Sequence, residues 1–66
     1  MKVKTQRIEI LVAEQGMTLT QLAKQSGIAR QNLSTIIRRG TAEPKTVGKL
    51  AKGLGVDVTE LLEKEA

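Results

Sequence analysis

Short apolar patterns of helical period, each closed by a glycine, constrain this chain more than any other feature. Ile8, Leu11 and Val12 fall at i, i+3, i+4 and run into Gly16; Val47, Leu50, Ala51 and Leu54 fall at i, i+3, i+4, i+7 and run into Gly55. This period predicts helices over about 5–15 and 44–54. Thr5 is read as the cap of the first, and Pro44 fits the first turn of the other, where no backbone donor is missed. Between them, Thr18 and Gln21 have the spacing of a capping box, and Met17 and Leu22 that of a hydrophobic staple. They predict a helix over about 18–25 that stops at Gly27, a residue free to take the left-handed conformation. Leu33, Ile36 and Ile37 mark a further helix over about 30–38, followed by a loop at 39–44. Asp57 with Glu60, and Val56 with Leu61, repeat the box-and-staple spacing and predict a last helix over about 58–64, with Val56, Val58, Leu61 and Leu62 in the core. Gly48 and Gly53 lie inside the fourth helix at a cost of ~1 kcal/mol each; a close helix contact accounts for one of them. No strand pattern competes, so the expected fold is all-α, five short helices around one core in a single domain over 1–66.

Composition removes many chemistries. The 66 residues include no Cys and no His, which excludes a disulfide framework, a Cys/His zinc site and a Ser-His or Cys-His nucleophile. The absence of Phe, Tyr and Trp counts against modules that stack single-stranded bases on aromatic rings. Glu9, Glu14 and Glu60 read as helix-surface or cap residues, so no enzyme, metal or cofactor is expected. Lys2, Lys4 and Arg7 before an apolar stretch resemble a leader only faintly, because Glu9 and Glu14 interrupt the stretch and no small-residue cleavage site follows. No run approaches a membrane span. A soluble, cytoplasmic chain is the expectation, without room for a separate ligand-sensing domain.

The charge is uneven. Residues 24–52 carry seven Lys or Arg against the lone acid Glu43, a net +6, whereas residues 57–66 carry four acids against Lys64, a net −3. A basic middle points toward a polyanion.

Within that middle, Leu19–Ile36 reads as a helix, a turn at Gly27 and a second helix. Ala23 is small where the helices approach, and Ile28, Leu33 and Ile36 face inward. The outer face of the second helix is then Arg30, Gln31, Ser34, Thr35 and Arg38. Arg can donate two hydrogen bonds to guanine, Gln can pair with adenine, Thr can touch the thymine methyl, and an α-helix fits the major groove of a duplex. Residues 18–36 (TLTQLAKQSGIARQNLSTI) together with 49–56 (KLAKGLGV) resemble the phage repressor and Cro type of helix-turn-helix domain, the xenobiotic-response-element family, over about 7–63.

The resemblance implies a lambda-repressor-like DNA-binding domain with its helix-turn-helix at about 18–38 and its recognition helix at about 30–38. By position it implies base contacts from Arg30, Gln31 and Thr35, joined by Ser34 on the same face. Thr18, Thr20, Asn32, Arg38, Arg39 and Thr41 match phosphate or groove-edge contacts. It further implies a transcriptional regulator, expected to be a repressor, bound as a homodimer to a pseudopalindromic double-stranded operator. The chain departs from the family at Ala29, where Ser or Thr usually caps the recognition helix, and at Ile37, where a charge is common. The alternative is a protein-binding module on the same fold, such as an antitoxin or adaptor, to which Ile37 and the apolar residues near 56–62 would contribute.

Overall fold

The computed structural model describes residues 1–63. Four α-helices follow in order: α1 Thr5–Glu14, α2 Leu19–Ser26, α3 Arg30–Arg39 and α4 Pro44–Leu54. Their inward positions build one core. Ile8, Leu11 and Val12 come from α1, Leu22 and Ala23 from α2, Leu33 and Ile36 from α3, and Val47, Leu50, Ala51 and Leu54 from α4, with Val3 and Leu61 closing it from the two ends. The apolar residues foreseen to face inward in these helices do so. Ile37, Ile28, Met17, Val56 and Leu62 lie half-buried against the same core.

The local signals at α2 act as their residue types require. Thr18 Oγ1 accepts from the Gln21 N–H at 3.2 Å, and Gln21 Oε1 accepts from the Thr18 N–H at 2.8 Å. The helix ends at Gly27 with φ +70°, and the Gly27 and Ile28 amides return to the Lys24 and Ala23 carbonyls. That left-handed residue turns the chain into α3 within three residues. Pro44 occupies the first turn of α4. α4 ends like α2: Gly55 is left-handed, and the Gly55 and Val56 amides return to the Lys52 and Ala51 carbonyls. The Leu54 carbonyl accepts from Gln15 Nε2 at 2.7 Å, which ties the turn after α1 to the end of α4.

Gly53 has a clear reason. α2 packs against both α3 and α4, and a Cβ on Gly53 would meet Ser26 Oγ, with Ser26 Cβ at 3.1 Å and Cα at 3.2 Å. Ser26 itself is buried, and its hydroxyl lacks a partner among the described residues. A Cβ on Gly48 would meet nothing within 4 Å; no packing demand explains it.

The ends of the chain depart from expectation. Thr5 does not cap α1: Lys4 occupies the N-cap position, with no side-chain bond, and Thr5 is already helical. The fifth helix is one 3-10 turn, Val58–Glu60. Its continuation to Lys64 lies partly outside the described residues, but residues 61–63 are not helical because the N-terminal segment takes their backbone groups. The Lys4 amide donates to the Leu61 carbonyl at 2.7 Å, and the Glu63 amide donates to the Lys2 carbonyl at 3.2 Å. On the other side, the Val3 amide donates to Gly40 and the Ala42 amide to Met1, both at 2.9 Å. Residues 2–3 thus form two isolated antiparallel bridges, Lys2 with Thr41 and Val3 with Leu62, and bury Val3. Val58, expected in the core, is 37% exposed; the tight turn points it away.

The second capping box also fails to close. Asp57 Oδ1 accepts from the Thr59 amide and hydroxyl at 2.9 and 2.8 Å, while Glu60 pairs with Arg7 at 2.8 Å. The Thr59 amide bond, then the Thr59 hydroxyl, holds the Asp57 carboxyl below its ordinary value of 3.8. A lowered folded-state value stabilises the fold above the unfolded-state value, and that contribution disappears as pH falls through the folded-state value. Against Asp57→Asn, the native chain should therefore melt slightly higher at neutral pH. The gap should close below about pH 4 in thermal melts across pH; a gap that widens in acid would contradict this.

Candidate nucleic-acid interface

α3 carries the candidate site because its two faces differ so sharply. At about 100° per residue, Arg30, Ser34, Arg38, Gln31 and Thr35 fall within an arc of about 140°, with Leu33 and Ile36 on the opposite side. Arg30, Gln31, Ser34 and Arg38 are exposed, Thr35 is half-buried, and Leu33 and Ile36 are buried. The structure thus brings together the five side chains foreseen for the outer face. Asn32 and Arg39, also exposed, lie about 60° and 40° beyond the Thr35 edge of that arc. Thr41 is exposed in the loop beyond α3, where Lys2 bridges to it. Thr18 and Thr20 are exposed at the start of α2.

Local chemistry decides what each group has left to offer. The Thr35 hydroxyl donates to the Gln31 carbonyl at 3.0 Å within its own helix, which uses its hydrogen and leaves its methyl and its acceptor lone pairs. Ala29 precedes α3 without a side-chain cap, as its residue type dictates, so the first amides of α3 lack the partner that Ser or Thr would give. At α2 the capping box and the Thr18 carbonyl engage the amides of Gln21 and Leu22. The amides of Leu19 and Thr20 remain, at the positive end of the helix dipole where an anion is favoured. Ile37 adds to the core rather than to the outer face.

The electrostatics are one-sided. Arg30, Arg38 and Arg39 pair with no acid among the described residues, where the one ion pair is Arg7 with Glu60, remote from α3 in sequence. A shallow groove beside α3 is lined by Asn32, Thr35, Ile36, Ala42, Glu43 and Thr46. It joins two of the foreseen residues, Asn32 and Thr35, to Glu43, whose carboxylate disfavours a phosphate at that end of the groove. Sequence reasoning missed a bond between the two helix starts, in which Arg30 Nε donates to Thr20 Oγ1 at 2.9 Å. No local signal encodes it: the three-residue turn joins the end of α2 to the start of α3, and the meeting of Thr20 with Arg30 depends on how the two helices pack.

Among the described residues, no three His, Cys, Asp or Glu side chains gather as a metal site, and no helix is long and apolar enough to cross a membrane. No curated protein and no solved structure matches the chain. The helix-turn-helix family model of the Cro/C1 type matches residues 8–61, which takes in all four helices but the first turn of α1. With the capped α2, the turn at Gly27 and the polar face of α3 in place, the chain belongs to the Cro/C1-type helix-turn-helix family of DNA-binding domains.

Proposed function

We propose that this chain is a sequence-specific regulator of transcription, acting as a repressor, that lays α3 in the major groove of a pseudopalindromic operator. The observation that carries this reading is the outer face of α3, where Arg30, Gln31, Ser34 and Arg38 are exposed around Thr35 and the cations pair with no acid among the described residues. Arg30, Gln31, Ser34 and Thr35 read base edges. Thr18, Thr20, Asn32, Arg38, Arg39 and Thr41 hold the phosphate backbone and set the register. Phosphate contacts supply affinity without sequence information, and base-edge contacts supply the preference. Two copies of the chain place their recognition helices one DNA turn apart, about 34 Å.

The protein-binding alternative drew on Ile37 and the apolar residues near 56–62. Ile37, Val56, Leu61 and Leu62 all contribute to the core, which leaves Val58 as the exposed member of that set.

Selection of bound sites from a randomised duplex pool tests the reading. Two inverted half-sites spaced by about one helical turn are expected; recovery of sites without enrichment would refute sequence-specific binding. Within the selected site, Arg30→Ala should cost ~1–3 kcal/mol and relax the preference at one base pair. Arg38→Ala should weaken all duplexes alike and flatten the dependence of log affinity on log salt by about one unit. Salt titrations of both variants on matched and altered duplexes read this out, and identical profiles would abolish the division of labour.

A further inference from the structure

The first turn of α3 is tied to the first turn of α2 by one side-chain bond. Arg30 Nε donates to Thr20 Oγ1 at 2.9 Å across the turn at Gly27. We propose that Thr20 is a positioning residue for Arg30. Its hydroxyl sets the plane of the guanidinium before DNA arrives and occupies Nε, so that Nη1 and Nη2 are the pair presented to guanine. This rests on the reading of Arg30 as a base-contacting residue.

The chemistry of the two side chains supports this. A guanidinium is a rigid planar fork with five donors. It can offer a guanine either its Nε side or its two terminal nitrogens. A bond at Nε removes the first choice and leaves the second, and the O6 and N7 acceptors of guanine lie side by side to receive it. Thr20 is a suitable anchor, because a β-branched side chain is stiff at χ1 and its backbone lies in the turn fixed by the Thr18–Gln21 box. A long side chain ordered before binding loses less freedom at the moment of binding. The Thr20 hydroxyl accepts in this bond and keeps its own hydrogen, so the bond does not by itself exclude a phosphate contact. The two roles differ in whether the effect of Thr20 depends on Arg30.

The test uses the tightest duplex recovered from the randomised pool, and the same duplex altered at the base pair whose preference Arg30→Ala relaxes. Thr20→Val keeps the shape of the side chain and removes the acceptor; Thr20→Ser keeps the acceptor. Thr20→Val is expected to lower the preference between the two duplexes by about three- to tenfold, with an unchanged melting temperature. Thr20→Ser should retain most of the preference, and Thr20→Val should have no further effect on it in an Arg30→Ala background. Equal weakening of both duplexes by Thr20→Val, or an undiminished effect without Arg30, overturns the proposal and leaves Thr20 as a backbone contact alone. If Arg30→Ala relaxes no base pair at all, the reading of Arg30 falls and the proposal falls with it, an outcome distinct from failure of Thr20→Val alone.

Discussion

Leu33→Ala is expected to lower the unfolding free energy by about 2–5 kcal/mol and to abolish binding to every duplex through loss of fold. Leu33 lies in the middle of α3 with no exposed surface, in the same core as Leu22, Ile36 and Leu50. Its removal deletes buried apolar area and leaves a cavity that a well-packed interior fills only in part. At roughly 0.05–0.15 kcal/mol per residue, a chain of this size has little stability to spare. Ser34, the next residue, is exposed, and Ser34→Ala should change stability by no more than about 0.5 kcal/mol. Denaturant titration of both variants checks the contrast. A Leu33→Ala midpoint close to that of the native chain would show that α3 is not held by its inner face.

Gly53→Val is expected to destabilise the fold toward the upper end of the ~1–3 kcal/mol typical of overpacking. Two effects oppose each other at this position. Replacing a helical glycine removes a backbone penalty of up to ~1 kcal/mol. Against that, a Cβ would stand 3.1 Å from Ser26 Cβ and 3.2 Å from Ser26 Cα. The hydroxyl of Ser26 can rotate, but its Cα and Cβ can yield only if α2 moves away from α4. Valine adds two methyl groups to the same gap, so the packing cost wins. Because α2 also packs on α3, the displacement reaches the helix-turn-helix. Gly48→Ala is the matched control: open space surrounds that position, and a gain of up to ~1 kcal/mol is expected. Thermal melts should shift in opposite directions, and a shared direction would mean that helix propensity alone governs both sites.

What the sequence disclosed and what it hid divide along physical lines. The four α-helices and the core face of α3 were legible because their signals are local: apolar period, the Thr18–Gln21 box, Gly27, and Pro44 in a first turn. The polar arc of Arg30, Gln31, Ser34, Thr35 and Arg38 follows from the same period, since fixing the inward residues fixes the outward ones. The last segment misled for the opposite reason. Asp57 and Glu60 have the right spacing for a capping box, yet Glu60 is drawn to Arg7, more than fifty residues earlier. Residues 61–63 are engaged by residues 2–4, and no local pattern encodes a partner so distant. Gly53 and Gly48 look alike in sequence and differ only in what the neighbouring helix places beside them. The Thr20–Arg30 bond is intermediate: ten residues separate the partners, and their meeting depends on how α2 packs on α3, which no local pattern encodes.

The pairing of Val3 with both Gly40 and Leu62 has a kinetic consequence. Closing a loop costs entropy that grows with its length, so contacts spanning nearly the whole chain form after those within neighbouring helices. The backbone just past α3 acquires its Val3 and Met1 partners only when the amino-terminal residues have folded back across it. The helices are therefore expected to form first and the pairing of residues 2–4 with 61–63, which spans nearly the whole chain, to close last.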